Sequence, residues 1–165
     1  MSKRARQYIG ILVTVIAYYL LHEGAYLLYA LLTGVFKQIN LMGLGVQIDV
    51  YAERMTDAQL GVFCLVGALA TLCAGYLLTT LAGRICRARS KLLRAALYYI
   101  TIALLLIDPL YLSVLCGLFG GGDMNGIALI CPEWAARCFF GAVLLINGVA
   151  FWKRALPAYR QSFAE

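Results

Sequence analysis

His22 is the only histidine in the chain; Glu23 follows it directly and Tyr26 lies four positions on. Residues four apart share a helix face, so on a helix the imidazole and the phenol project together with the Glu23 carboxylate beside them. Zinc peptidases of the His-Glu-x-x-His type use this layout, with two imidazoles on the metal and the glutamate activating a metal-bound water. In this chain a phenol stands where the second imidazole would be. The same residues also support a structural reading, in which His22 and Glu23 act as polar glue within a helix bundle and hydrogen-bond to Tyr26, Tyr29 or Asn125. Both readings place ionisable groups in an apolar run, Leu20-Leu21-His22-Glu23-Gly24-Ala25-Tyr26, where each costs about 2.5 kcal/mol or more unless it finds a partner.

Two further acids lie in or beside apolar stretches. Asp123 sits in the glycine-flanked segment Gly121-Gly122-Asp123-Met124-Asn125-Gly126, and Asp108 directly precedes Pro109. An Asp-Pro pair in mid-span reads either as a proton or cation site or as a structural acid paired with a hydroxyl or basic group across the bundle. The six cysteines, Cys64, Cys73, Cys86, Cys116, Cys131 and Cys138, show no C-x-x-C spacing. They are expected to be buried thiols acting as small hydrophobes, with Cys131 and Cys138 the one pair placed near an oxidising face.

The elements that position these residues follow from composition. The chain is 63% hydrophobic and 13% charged, whereas a soluble domain is roughly half apolar and a quarter charged. That apolar excess predicts an all-α integral membrane protein, a single transmembrane domain over 1–165 with about four helical spans, near 8–36, 58–83, 92–118 and 134–152. The first run is too long for a cleavable signal core and is expected to remain in the protein. The segment 37–57 alternates in polarity around Met42-Gly43-Leu44-Gly45, which predicts a short extended hairpin after the first helix. The glycine-rich stretch 119–126 is expected to be irregular backbone lining a cavity.

The formal charge of +6 comes from basic residues at the edges of the apolar runs rather than from a patch interleaved with exposed aromatics, so nucleic acid is not an expected partner. Lys3, Arg4 and Arg6 precede the first span; Arg84, Arg87, Arg89, Lys91 and Arg94 join the second to the third; Lys153, Arg154 and Arg160 follow the fourth. The positive-inside rule then predicts cytoplasmic N- and C-termini and a cytoplasmic middle loop, with 37–57 and 119–133 on the other side. The expected location is the cell membrane, since no organelle address is visible, and the expected partner is the lipid bilayer.

Three segments in order give the chain a resemblance to the site-2 protease family of intramembrane zinc metallopeptidases across roughly residues 10–130. They are His22-Glu23-Gly24-Ala25-Tyr26, then Gly67-Ala68-Leu69-Ala70-Thr71-Leu72, then Gly121-Gly122-Asp123-Met124-Asn125-Gly126. The second resembles the family's Gly-Pro-x-x-Asn stretch, with alanine for proline and threonine for asparagine. The resemblance implies that His22 and Asp123 are zinc ligands, that Glu23 is the catalytic base, and that Tyr26 occupies the place of the missing ligand. It further implies either a degenerate metallopeptidase that binds transmembrane peptide substrates without cutting them or a weakly active enzyme that cleaves them. The competing expectation is a small non-catalytic membrane subunit, part of a transporter or an assembly factor, in which these residues only pack the bundle.

Overall fold

A computed structural model describes residues 2–42 and 45–164. Four helices are long and apolar enough to cross a membrane, Lys3–Thr33, Asp57–Thr80, Lys91–Leu118 and Glu133–Phe163. A two-stranded antiparallel hairpin follows the first of them. The fold is therefore an all-helical membrane bundle with a small extended excursion.

Helix α1 (Lys3–Thr33) starts at Ser2, whose hydroxyl accepts from the Ala5 N–H, and stops at Gly34, which adopts a left-handed φ of 72°. That cap, which glycine adopts without strain, ends the helix earlier than the expected limit near 36. Phe36 instead opens β1 (Phe36–Met42), which pairs with β2 (Gly45–Val50) in a register that sets Ile39 opposite Ile48. Lys37 and Asp49 form an ion pair of 3.0 Å between the strands. Gly43 and Leu44 of the expected glycine turn lie outside the described residues.

Helix α2 (Asp57–Thr80) begins with a capping box between Thr56 and Gln59 and gives way to the single turn α3 (Ala82–Ile85). Helix α4 (Lys91–Leu110), capped by Ser90, contains Pro109 and then widens into a π-helical turn, Tyr111–Leu115. Proline cannot donate to the carbonyl four residues back. Here that carbonyl, Leu105, accepts instead from Asn147 Nδ2 at 2.8 Å, and Tyr76 donates to Asn147 Oδ1 at 2.8 Å.

Beyond the glycine-rich bend lies the short helix α5 (Asp123–Ile127), preceded by Gly120, Gly121 and Gly122, all at positive φ. The last span, α6 (Glu133–Ala150), runs through a second π-helical turn, Phe151–Ala155, into α7 (Leu156–Ala164). The helix therefore continues beyond Trp152, the expected end of the membrane span. The wider turn carries the chain to Pro157, which sits in the first turn of α7 where a missing N–H is tolerated.

Helices α1, α2 and α4 pack against one another, and α6 lies against α4 and its π turn. The largest apolar cluster includes Tyr26, Phe63, Leu72, Leu112, Met124 and Phe140; a second, with Leu105, Phe151 and Tyr159, fills the far end. Leu20, Leu32 and Leu145 point outwards, as lipid-facing side chains must. All six cysteines are free, so Cys131 and Cys138 are not paired. Cys64 and Cys116 are buried as expected, but Cys73 and Cys138 are exposed on the bundle's outer face, where a membrane supplies an apolar environment without protein packing.

Candidate functional site at His22

The site grows from a stripe on α1. Gly10, Thr14, His22, Tyr26 and Ala30 are its buried residues, four or eight positions apart, and Tyr18 occupies the remaining place in the series. A four-residue repeat keeps small and polar groups on the face that meets the bundle. Opposite His22, α2 presents Gly67: a Cβ at that position would stand 2.8 Å from His22 Cε1 and 2.9 Å from Tyr26 Cζ. The close approach of α1 and α2 at the imidazole therefore depends on the missing side chain.

Two carboxylates flank the ring. Asp108 Oδ1 on α4 lies 3.3 Å from His22 Nδ1, and Asp123 Oδ2 on α5 lies 3.9 Å from His22 Nε2. The first contact is a charge contact without hydrogen-bond alignment, since Nδ1 has no hydrogen-bond partner. Asp108, 3% exposed, accepts instead from the Tyr18 hydroxyl at 2.5 Å and from the Thr71 hydroxyl. Tyr18 also stacks on the imidazole at 5.4 Å between centroids, while Tyr26 meets it edge-on at 4.8 Å. Four elements thus converge: α1 brings His22, Tyr18 and Tyr26, α2 brings Gly67 and Thr71, α4 brings Asp108, and the glycine bend delivers Asp123.

Asp123 stands at the mouth of the cluster, its side chain more accessible than that of Asp108. Burial pushes its carboxyl above the ordinary carboxylate value, with His22 and the Tyr26 hydroxyl pulling the other way. Glu23 takes a separate path. Its Oε2 accepts from the Ile48 N–H at 3.2 Å, so the carboxylate ties α1 to strand β2.

The donor chemistry decides whether zinc fits. A carboxylate at one imidazole nitrogen is the usual support for a histidine that binds metal through the other, and Asp108 stands in that position with Nε2 turned to Asp123. A catalytic zinc, however, needs three protein donors. Tyr26, at the third position, is 5% exposed and directs its hydroxyl to the Cys64 carbonyl at 3.4 Å, and a phenol of pKa about 10 is a weak ligand unless deprotonated. Among the described residues, no group of three or more His, Cys, Asp or Glu side chains is placed to hold a metal ion. The residues present supply two facing donors and do not fit a three-ligand zinc centre.

Of the residues expected to matter, His22, Tyr26 and Asp123 meet, and Glu23 is engaged by the hairpin. The other proposed glue partners hydrogen-bond elsewhere: Tyr29 donates to the Gln59 carbonyl at 3.2 Å and Asn125 to the Gly120 carbonyl at 3.2 Å. Asp108 finds the hydroxyl partners anticipated for a structural acid and lies against the imidazole as well. Sequence reasoning missed Tyr18, although the four-residue stripe was there to find it. The chain matches no known family's sequence model, no curated protein and no solved structure.

Proposed function

We propose that this protein is a site-2-protease-like membrane protein whose catalytic centre is degenerate, and that it holds a membrane-embedded peptide rather than cutting it. The observation that carries this reading is the alignment Asp108, His22, Asp123, with a buried phenol at the position of the third ligand. Such a cluster keeps the framework of a metal site while lacking the donor that would make it hydrolytic. Gly67 and Thr71 support the reading, because these two residues of the resembling stretch touch the cluster, one against the His22 ring and the other on Asp108.

The place for a peptide is the hairpin. Strand β1 is paired on one side only, exposes Ile39 and Leu41, and belongs to the sheet that Glu23 anchors beside the site. An extended segment of a partner can add to such an edge through main-chain hydrogen bonds. The distribution of Lys and Arg supports cytoplasmic termini, which sets the hairpin and Asp123 on the opposite side.

Zinc content by mass spectrometry on the detergent-purified protein tests the reading. The chain as it stands is expected to carry no stoichiometric zinc, Tyr26→His to take it up, and His22→Ala added to Tyr26→His to lose it. Stoichiometric zinc in the unaltered protein, removed by His22→Ala, would show a working metal centre and overturn the degenerate reading. Zinc in none of the versions would favour a metal-free structural subunit.

A further inference from the structure

A second feature, independent of the His22 cluster, lies roughly 25 Å away along α1 at 1.5 Å per residue. A cavity of about 440 Å³ opens there between the first turns of α1, the first turns of α4 and the last helix, α7. Its wall carries Lys3 and Arg6 from α1, Lys91 from α4 and Arg160 from α7, with Tyr98 and Phe163 between them. Among the described residues, no acidic one lines it and none of the four cations takes part in an ion pair.

Helix polarity adds to the charge. Both α1 and α4 begin at this cavity, and neither carries an acid in its first turn. Two long helices therefore direct the positive ends of their dipoles where four basic side chains already converge. Positive charge gathered this way repels itself unless an anion is present. A phosphate group suits the space, since its oxygens accept from several lysine and arginine donors at once.

The level of the cavity indicates where such a group comes from. Helix α1 has 31 residues and so spans about 46 Å, longer than a hydrocarbon core of about 30 Å. Trp152, exposed just before α7, is the type of residue that sits at a membrane interface. Arg160 and the start of α1 then lie at the headgroup layer.

We infer that this cavity binds a phosphate group, supplied by the headgroup of an anionic lipid. Native mass spectrometry of the whole chain tests it, with phosphatidylglycerol and phosphatidylcholine as probes. Phosphatidylglycerol is expected to be retained in preference. Lys91→Gln with Arg160→Gln is expected to weaken that retention roughly 25-fold, from about fivefold for each basic residue near a membrane surface. Lys153→Gln with Arg154→Gln, which removes the same charge from the exposed turn before α7 but outside the cavity, keeps the general attraction of the remaining basic residues to the membrane and is expected to weaken the retention several-fold less than the cavity pair.

If the first pair unfolds by circular dichroism, Lys3→Gln with Arg6→Gln at the start of α1 gives the same reading. Glycerol 3-phosphate, titrated calorimetrically, separates the sources: binding with the same residue dependence and without any lipid preference would keep the phosphate site and assign it to a soluble ligand. Equal retention of the two lipids together with no glycerol 3-phosphate binding would overturn the inference. So would equal losses in the Lys91/Arg160 and Lys153/Arg154 variants.

Discussion

Asp108 and His22 approach to 3.3 Å between Oδ1 and Nδ1, although 86 positions separate them in the chain. The contact joins α4 to α1, and the hydroxyls of Tyr18 and Thr71 close on the same carboxylate from α1 and α2. Replacing Asp108 by Ala leaves the Tyr18 hydroxyl without a partner, leaves Thr71 only its bond to the Ala68 carbonyl, removes the carboxylate from beside His22 and opens a void. A hydrogen bond within a membrane bundle contributes about 0.6 kcal/mol on average, and the void adds about 1 kcal/mol for each methyl-sized gap. The expected loss is about 2 to 3 kcal/mol for Asp108→Ala, and less for Asp108→Asn, which keeps the shape and one acceptor. Unfolding in mixed detergent micelles checks the order; an Asn variant as damaged as the Ala variant would mean that charge, rather than shape and hydrogen bonding, holds the three helices together.

Gly67 gives a sharper test, because the same substitution at another glycine should act in the opposite direction. A methyl group at Gly67 meets His22 and Tyr26 at under 3.0 Å, whereas one at Gly24 meets nothing within 4 Å. Gly67→Ala should therefore destabilise by about 1 to 3 kcal/mol through overpacking. Gly24→Ala should be neutral or stabilise by up to about 1 kcal/mol, because alanine is the better helix former. The comparison needs only thermal unfolding of the two variants beside the parent, and equal effects would remove Gly67 from its role as the surface on which the imidazole rests.

How much of this was legible in the sequence depends on the range of each signal. The spans follow from long apolar runs, and the hairpin from alternation after Phe36, both of which are local. The end of α1 was misjudged because residues 35 and 36 continue the apolar run while Gly34 has already turned the backbone. The last helix runs on past the expected span end because Lys153 and Arg154, which look like a stop, lie within a π turn that carries it onward. At the site, the spacing of His22 and Tyr26 is local and readable, and Asp123 was singled out through the resemblance, its place beside His22 being set by the glycine bend. The pairing of His22 with Asp108 depends on how α1 and α4 cross, which no spacing within one helix encodes. Glu23 adjoins His22 in sequence, yet its direction is set by a strand that the chain reaches only after Gly34.

Arg94 should act as the fastener of the C-terminal helix. It is 6% exposed, and its Nη1 donates to the Ser162 carbonyl on α7 at 2.6 Å and to the Cys86 carbonyl at 3.3 Å. Hydrogen bonds from a charged donor contribute about 1.5 to 3 kcal/mol. Arg94→Met keeps much of the apolar stem and removes the donors, so α7 should loosen while α1, α2, α4 and α6 stay folded. Hydrogen exchange is expected to rise over 156–163 with little change in 57–80. A uniform rise across the chain would show instead that Arg94 stabilises the whole bundle.

Pro109 and Asn147 make the last prediction, in which one substitution should relieve another. Without a proline N–H, the Leu105 carbonyl is left to Asn147 Nδ2, and Asn147 in turn accepts from Tyr76. Asn147→Ala should strand that buried carbonyl and the Tyr76 hydroxyl, a loss of about 1 to 3 kcal/mol. Pro109→Ala restores an N–H four residues beyond Leu105, so the carbonyl regains a partner within its own helix. In the Pro109→Ala background the cost of Asn147→Ala should fall by about 1 kcal/mol, the remainder reflecting Tyr76. A double-mutant cycle on unfolding free energies measures that coupling directly. Additive losses would mean that the π turn after Leu110, rather than the missing N–H, dictates how α4 and α6 are joined.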